Sequence, residues 1–342
     1  MLKEEILNPK SQQEVDAFYM RRCLQIASNG LQNAKPNPSV GAVIVAADGR
    51  IIGEGYTSAY GGAHGEVNAF ASVRPEDEAL LKEATIYVSL EPCSHYGKTP
   101  PCCDLIIRKG VKRVVCGCVD PFSKVQGRGI QKIREAGIEV TVGVLEQECF
   151  ESNKRFMVYN MYKRPYIILK WAQTLEGIIA NPHREGEPYQ PLHISSPFTQ
   201  MLVHKLRAEN DAILVGRSTY ELDKPQLNVR EWSGRNPERI LLTSDKQLKP
   251  EGWNVFATIE EALDHLYAEK KQSLIVEGGA KTLQEFIDKD LWDEIRVEYN
   301  TQMGHLEGVN GPFRLPKCTL SKKEQFGDNI IVTYERNRNA NK

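Results

Sequence analysis

The chain has 342 residues, long for one domain, and its 41% hydrophobic content supplies apolar material for two cores. Its 44 basic and 45 acidic residues leave a net charge of -1, which excludes a global attraction to nucleic acid or to an anionic membrane surface. No apolar run approaches the roughly 20 residues of a membrane span, and the polar opening MLKEEILNPKSQQEV does not read as a signal peptide. A cytoplasmic protein is expected. The eight cysteines (Cys23, Cys93, Cys102, Cys103, Cys116, Cys118, Cys149 and Cys318) are too unevenly spread for a secreted disulfide scaffold. In a reducing compartment a local cluster points instead to metal binding or catalysis.

Residues 14–30 predict a helix, with Ala17, Met20, Leu24 and Ala27 at helical spacing and Gly30 as its stop. VGAVIVAADGRIIGEGY predicts a hairpin about Asp48-Gly49. Gly61-Gly62 break the chain before a short helix in AHGEVNAFASV. ATIYVSL, residues 84–90, predicts a buried strand that runs into EPCSHYGKTPPCC. The next helix, in CCDLIIRKG, has Thr99 as a candidate cap, prolines at its first turn and Gly110 at its end. VKRVVCGCV predicts a strand, GIQKIREAG a helix and EVTVGV a last strand, an alternation expected of a sheet with helices on both faces. Residues 144–162 predict one long helix leading out of the first domain. Beyond Pro165, YIILKWA, AILVG, RILLT and SLIVEGG predict further strands. The expected organisation is a first domain over 14–146, a linker helix over 147–163 and a second domain over 164–337.

Two short motifs in the first half carry chemistry. One is His64-Gly65-Glu66 at a helix start. The other is Pro92-Cys93, followed by Cys102 or Cys103 at the next helix start. One imidazole and two thiolates suit zinc and leave a fourth position for water. Zinc lowers the pKa of bound water, and Glu66 is placed to take the proton and pass it on. H-x-E, then P-C and a further Cys, is the order found in zinc deaminases, which attack a ring carbon bearing an amine and release ammonia. Each motif alone is weak. HxE recurs by chance, and the cysteines could make a closed structural site or an inert loop. Their combination at strand-to-helix junctions favours a deaminase. The usual cysteine spacing is C-x-x-C, whereas eight residues separate Cys93 from Cys102. Spacing leaves Cys102 and Cys103 as alternatives, because both precede apolar residues at i+3 and i+4.

The second half says less by itself. It has no GxGxxG, so a dinucleotide-binding Rossmann unit is not supported. SLIVEGGAKTLQEFI reads as strand, two glycines and helix, which suits a phosphate but equally an ordinary turn.

PNPSVGAVIV, GGAHGEVNA, EPCSHYGKTPPC and DPFSKVQGRGI resemble the deaminase half of the bifunctional riboflavin-biosynthesis deaminase/reductase family. RPYIILKWAQTLEG, HKLRAENDAILVGRSTYELDKPQLNVR and LIVEGGAKTLQEFI resemble its reductase half. The resemblance implies an α/β chain: an N-terminal cytidine-deaminase-like α/β/α domain and a C-terminal dihydrofolate-reductase-like α/β domain. It implies Zn2+ held by His64, Cys93 and Cys102, with Glu66 as proton shuttle and Cys103 a packed neighbour. The implied substrate is the phosphorylated pyrimidine 2,5-diamino-6-(5-phosphoribosylamino)pyrimidin-4-one, contacted by Asn37, His95 and Lys98. The longer insert between the cysteines would then serve its phosphate. In the second half the family pattern places NADPH at Ala172, Thr219, Asp223, Gly279, Ala280, Lys281, Thr282, Leu283, Gln284 and Glu285. It places the sugar phosphate at Arg207, Leu227, Arg230 and Glu277, and implies 5-amino-6-(5-phosphoribitylamino)uracil as product. The partners implied are this small molecule and a second copy of the chain, as a homodimer or higher homo-oligomer through the reductase half, with no nucleic acid and no membrane.

Plain structural roles compete with several of these. Asn37 between two prolines is also a turn residue, Arg207 a solvated helix face and Arg230 a loop charge. The chain departs from the family at Gly65 (usually Ala), Thr57 (often His), Glu176 (usually Asp), His193 (a Trp) and Pro191 (a Ser). MGHLEGVNGPF matches only loosely. Two other functions compete with this reading. A polynucleotide deaminase requires a basic surface that the neutral charge does not predict. A deaminase whose second half binds nucleotide or assembles without turnover is motivated by the departures at 176, 191 and 193.

Overall fold

Alternate residues of one strand show how the first half is layered. In β1 (Gly41–Val45) every residue is buried. Ala42 and Ile44 enter one core, Val43 and Val45 another, so the sheet is covered on both faces. The structure is a computed structural model and describes residues 11–96, 100–121, 127–304, 307–312 and 315–336. It divides into two units, one ending at Tyr162 and one beginning at Lys163.

The first unit has a five-stranded sheet. β1 pairs antiparallel with β2 (Ile51–Tyr56) and with β3 (Thr85–Leu90). β4 (Arg113–Cys118) and β5 (Glu139–Val142) extend it in parallel, in the order β2-β1-β3-β4-β5. One face packs α2 (Gly65–Ala71), α3 (Cys102–Lys109) and α4 (Arg128–Glu135) through Ala69, Phe70, Ile106, Ile130 and Ile133. The other packs α1 (Gln12–Ala27) through Met20, Cys23 and Ile26. The hairpin about Asp48-Gly49 is present, with Gly49 at φ 85.

Two expectations are corrected. Residues 144–162 form two helices, α5 (Glu146–Ser152) and α6 (Lys154–Tyr162), broken at Asn153. The Asn153 side chain turns inward, accepting Ser39 N–H at 2.9 Å and donating to Ser39 O at 3.0 Å. Cys149 and Met157 are fully buried in the core that also holds Val43, Val45 and α1, so this stretch is part of the unit's packing. The cap of α3 is Pro101, so the prolines precede the helix; Thr99 lies outside the described residues.

The second unit has an eight-stranded sheet in the order β10-β9-β8-β11-β6-β12-β15-β14. β6 (Tyr166–Thr174), β8 (Ala212–Gly216), β9 (Glu238–Leu242), β10 (Asn254–Phe256), β11 (Ser273–Val276) and β12 (Glu294–Asn300) are parallel. β14 (Cys318–Phe326) and β15 (Asn329–Arg336) close the edge antiparallel. β7 (Ile178–Ala180) and β13 (Val309–Asn310) pair apart from it. The helices are α7 (Pro197–Glu209), α8 (Arg217–Asp223), α9 (Ile259–Ala268) and α10 (Ala280–Asp288). Ser196 caps α7, and Thr258 with Glu261 makes a capping box at α9. Both units are α/β, as the sequence leads one to expect. Among the described residues no helix is long and apolar enough to cross a membrane.

Candidate functional site

A close approach sets the first site. A side chain at Gly55 of β2 would collide with the backbone of α2 at Ala69 N and Gly65 O. Glycine there lets the start of α2 lie against the sheet. His64 is the N-cap of α2 and Glu66 lies in its first turn. Cys93 follows the end of β3, and Cys102 is the first residue of α3. Two helix starts and a strand end thus deliver three donors to one point.

His64 Nδ1 lies 3.6 Å from Cys93 Sγ and 3.4 Å from Cys102 Sγ, and all three donor atoms lie within 4.8 Å of one another. Tetrahedral zinc, with Zn–S near 2.3 Å and Zn–N near 2.0 Å, separates a nitrogen and a sulfur ligand by about 3.6 Å. The donors fit zinc in spacing and in softness. The Cys102 N–H donates to Cys93 Sγ at 3.3 Å, which favours a thiolate there. With Cys102 and His64 as partners, the Cys93 thiol is held well below its ordinary value. Cys102, facing Cys93 and buried, is pushed up in return. Glu66 is 3% exposed, and burial, followed by Cys93, pushes its carboxyl up to about 7. Cys103 faces the core beside Ile106 and Ile130.

The other residues of this half are placed unevenly. Asn37 is half-buried in a turn, its N–H donating to Ala34 O at 2.9 Å. His95 is exposed. Lys98 lies outside the described residues. Two of the departures share one cause. The Thr57 hydroxyl is buried and accepts the Val40 N–H at 2.9 Å. A Cβ on Gly65 would lie 2.5 Å from the oxygen of that same Val40. Thr57 and Gly65 therefore meet on one backbone unit.

Glu91, one residue before Pro92-Cys93, was not singled out from sequence. It is 4% exposed, and its carboxylate accepts the N–H groups of Asp120 (3.3 Å), Gly127 (2.9 Å) and Gly129 (3.0 Å). A carboxylate closing an otherwise apolar strand was the available signal.

In the second unit Arg207 and Glu277 form an ion pair at 2.8 Å, with side chains 12% and 10% exposed. Burial raises the Glu277 carboxyl, but Arg207 and Lys170 outweigh it and the pKa is lowered. Glu277 Oε1 and Arg207 Nε are buried and have no hydrogen-bond partner among the described residues. Leu227 and Arg230 lie on the segment that Arg207 touches, with Arg207 NH1 3.5 Å from Asn228 O. All four expected substrate residues thus belong to one network. Lys170, a charge inside the apolar run YIILKWA, also belongs to it and was not singled out from sequence.

Of the expected cofactor residues, Thr219 and the start of the 279–285 segment meet at the C-terminal ends of β8 and β11, where parallel sheets bind ligands. A side chain at Gly216 or Gly278 would meet Thr282 of α10, and one at Gly279 would lie 3.4 Å from Thr219 Oγ1. Bare backbone at a helix start fits a phosphate-bearing cofactor. Gly279 caps α10, which carries Ala280, Lys281, Thr282, Leu283, Gln284 and Glu285. Asp223 ends α8; burial raises its pKa against a hydrogen bond from Tyr189. Ala172 is half-buried on β6. Glu176 is exposed in the turn after β6, and His193 lines a cavity of about 540 Å³ with Phe198 and Phe326.

The fold and donor set of the first unit define a zinc deaminase, joined to a second unit built on a mostly parallel α/β sheet. Residues 13–118 match the cytidine and deoxycytidylate deaminase zinc-binding region, and residues 165–331 match the RibD C-terminal domain. The riboflavin biosynthesis protein RibD of Aquifex aeolicus (strain VF5) is 35% identical, over 94% of this chain and 99% of its own. That of Actinobacillus pleuropneumoniae is 42% identical, over 93% and 95%. The crystal structure of a diaminohydroxyphosphoribosylaminopyrimidine deaminase/5-amino-6-(5-phosphoribosylamino)uracil reductase from Thermotoga maritima is 34% identical and superposes with a TM-score of 0.83, covering 95% of this chain and 99% of its own. The chain belongs to the RibD family of bifunctional riboflavin-biosynthesis deaminase/reductases. A second half without turnover is not favoured.

Proposed function

We propose that the first unit hydrolytically deaminates 2,5-diamino-6-(5-phosphoribosylamino)pyrimidin-4-one. The second then reduces the ribosyl chain to give 5-amino-6-(5-phosphoribitylamino)uracil, with NADPH. The observation that carries this is the His64, Cys93 and Cys102 donor set at zinc spacing, with a buried Glu66 beside it.

His64, Cys93 and Cys102 would hold the metal, and zinc bound there would supply an acidified water. Glu66 would take one proton from the attacking water and pass it to the ring nitrogen, then carry the second, from the hydroxyl left on the ring carbon, to the departing amine, which leaves as ammonia. Its burial suits a group that must both gain and lose a proton near neutral pH. Asn37 is assigned to the base, and His95 and Lys98 to the phosphate, as the family resemblance implies. In the second unit NADPH supplies hydride. Gly279 and the start of α10 receive cofactor phosphate, with Ala172, Thr219 and Asp223 around it. Glu277 Oε1 and Arg207 Nε offer one acceptor and one donor to the sugar, and Arg230 offers positive charge to its phosphate.

Chelation tests the division of labour. Removing the metal should abolish ammonia release and leave NADPH oxidation on the deaminated substrate intact. Loss of both together would count against two independent sites. We also propose a cytoplasmic enzyme, consistent with eight free cysteines, and a homodimer through the second unit, as the family resemblance implies. Light scattering tests the latter.

A further inference from the structure

His204 lies on α7 three residues before Arg207 and is fully buried. Its Nδ1 accepts the backbone N–H of Arg230 at 3.1 Å. An acceptor at Nδ1 fixes the tautomer, so the ring proton sits on Nε2. Arg207 reaches the same segment, with NH1 3.5 Å from Asn228 O and NH2 donating to Glu277 at 2.8 Å. Asn236 accepts the Val229 N–H at 2.8 Å. Residues 228, 229 and 230 are thus each held at the backbone by a side chain from outside the segment. The segment needs holding. Leu227 is 3% exposed with φ at 51°, in the left-handed region that a leucine rarely adopts. Within it the Arg230 guanidinium donates to Gln226 (3.0 Å) and Asn228 (2.6 Å).

We propose that His204 is a positioning residue of the reductase: by accepting the Arg230 N–H it fixes the Leu227–Arg230 segment against Arg207 and Glu277, and so sets the affinity for the phosphorylated sugar. This rests on the assignment of Arg207, Leu227, Arg230 and Glu277 to that substrate. His204 touches no substrate itself and acts through the backbone of Arg230. The groups facing it are Arg207, Arg230 and Glu231, whose Oε1 lies 3.9 Å from Nε2. Burial, then the two arginines, lowers its pKa against the opposing effects of Glu231 and of a hydrogen bond to the Asn228 backbone. The neutral ring, and with it the acceptor, is favoured at neutral pH.

A histidine that merely fills space and one that accepts a hydrogen bond are separated by side-chain chemistry. The carbonyl of Asn reaches the position of Nδ1, whereas that of Gln reaches the position of Nε2 and Leu has no acceptor. The test is steady-state NADPH oxidation by the full chain with the deaminated substrate, beside ammonia release. His204→Asn should keep KM for the sugar phosphate within about threefold. His204→Gln and His204→Leu should raise it about tenfold or more, equivalent to ~1.4 kcal/mol. KM for NADPH and ammonia release should stay within about twofold. Equal rises in His204→Asn and His204→Gln would show a role in shape alone and overturn the proposal. So would an unchanged KM in His204→Gln while Arg230→Ala raises it. If Arg207→Ala and Arg230→Ala both leave KM unchanged, the substrate assignment itself fails and the role of His204 falls with it.

Discussion

The backbone N–H of Cys102 donates to Sγ of Cys93 at 3.3 Å, across an insert of eight residues. The long insert therefore does not loosen the pair, because the start of α3 clasps the sulfur directly. Cys93→Ser and Cys102→Ser should each lose bound zinc, measured as metal content of the purified protein. Cys103→Ala should keep it, at a stability cost of about 1 kcal/mol for the small cavity it leaves. Metal loss in Cys103→Ala alone would reverse the assignment.

Gly65→Ala should destabilise the first unit. The added methyl would lie 2.5 Å from Val40 O, and that backbone is also bonded to Thr57. Overpacking of this kind costs roughly 1–3 kcal/mol. Thermal unfolding should show a lower first transition, with deaminase activity more affected than reductase activity. An unchanged transition would mean that the Val40 backbone gives way freely.

Asp16 makes a pH-sensitive contact in the first unit. It accepts from Arg113 at 2.7 and 2.8 Å and from Tyr87 at 3.0 Å, and its side chain is 4% exposed. Burial raises its pKa, but Arg113 and Gln12 outweigh that and hold the carboxyl below its ordinary 3.8. A carboxyl depressed in the folded state stabilises fully above its unfolded pKa and loses that contribution as pH falls through the folded value. Asp16→Asn should cost roughly 2–4 kcal/mol at neutral pH, less than a fully broken buried pair because Arg113 keeps Glu139. The gap to the parent protein should stay constant down to about pH 4 and narrow below it. A gap independent of pH would show that the charge is not what matters.

Much of the first unit was legible because apolar runs were bounded by strong stops, such as Asp48-Gly49 and Gly110. The break at Asn153 was not, because it depends on Ser39, 114 residues away. β14 was missed for a different reason. Residues 318–326 are mostly exposed and carry SKKEQ, so no apolar alternation marks the strand; its pairing with β15 defines it. Spacing could not choose between Cys102 and Cys103. One residue step around α3 sends one sulfur to His64 and the other to the core. In the reductase half, Arg207, Arg230 and Glu277 sit on a helix, a loop and a strand end. No local spacing joins them; only the sheet does.

Gly216→Ala should weaken cofactor binding. Its methyl would run into the Thr282 side chain at the start of α10. Displacing that start should raise KM for NADPH by roughly tenfold, ~1.4 kcal/mol, with KM for the sugar phosphate less affected. Direct titration of NADPH binding checks it. Unchanged affinity would place the cofactor elsewhere.

In the proposed mechanism Glu66 moves the protons of deamination beside a metal it does not bind. Ammonia release by Glu66→Gln, measured together with metal content and NADPH oxidation on the deaminated substrate, tests it most directly. Ammonia release should fall by about 10²–10⁴-fold, with metal content and NADPH oxidation retained. Normal ammonia release by Glu66→Gln would contradict it.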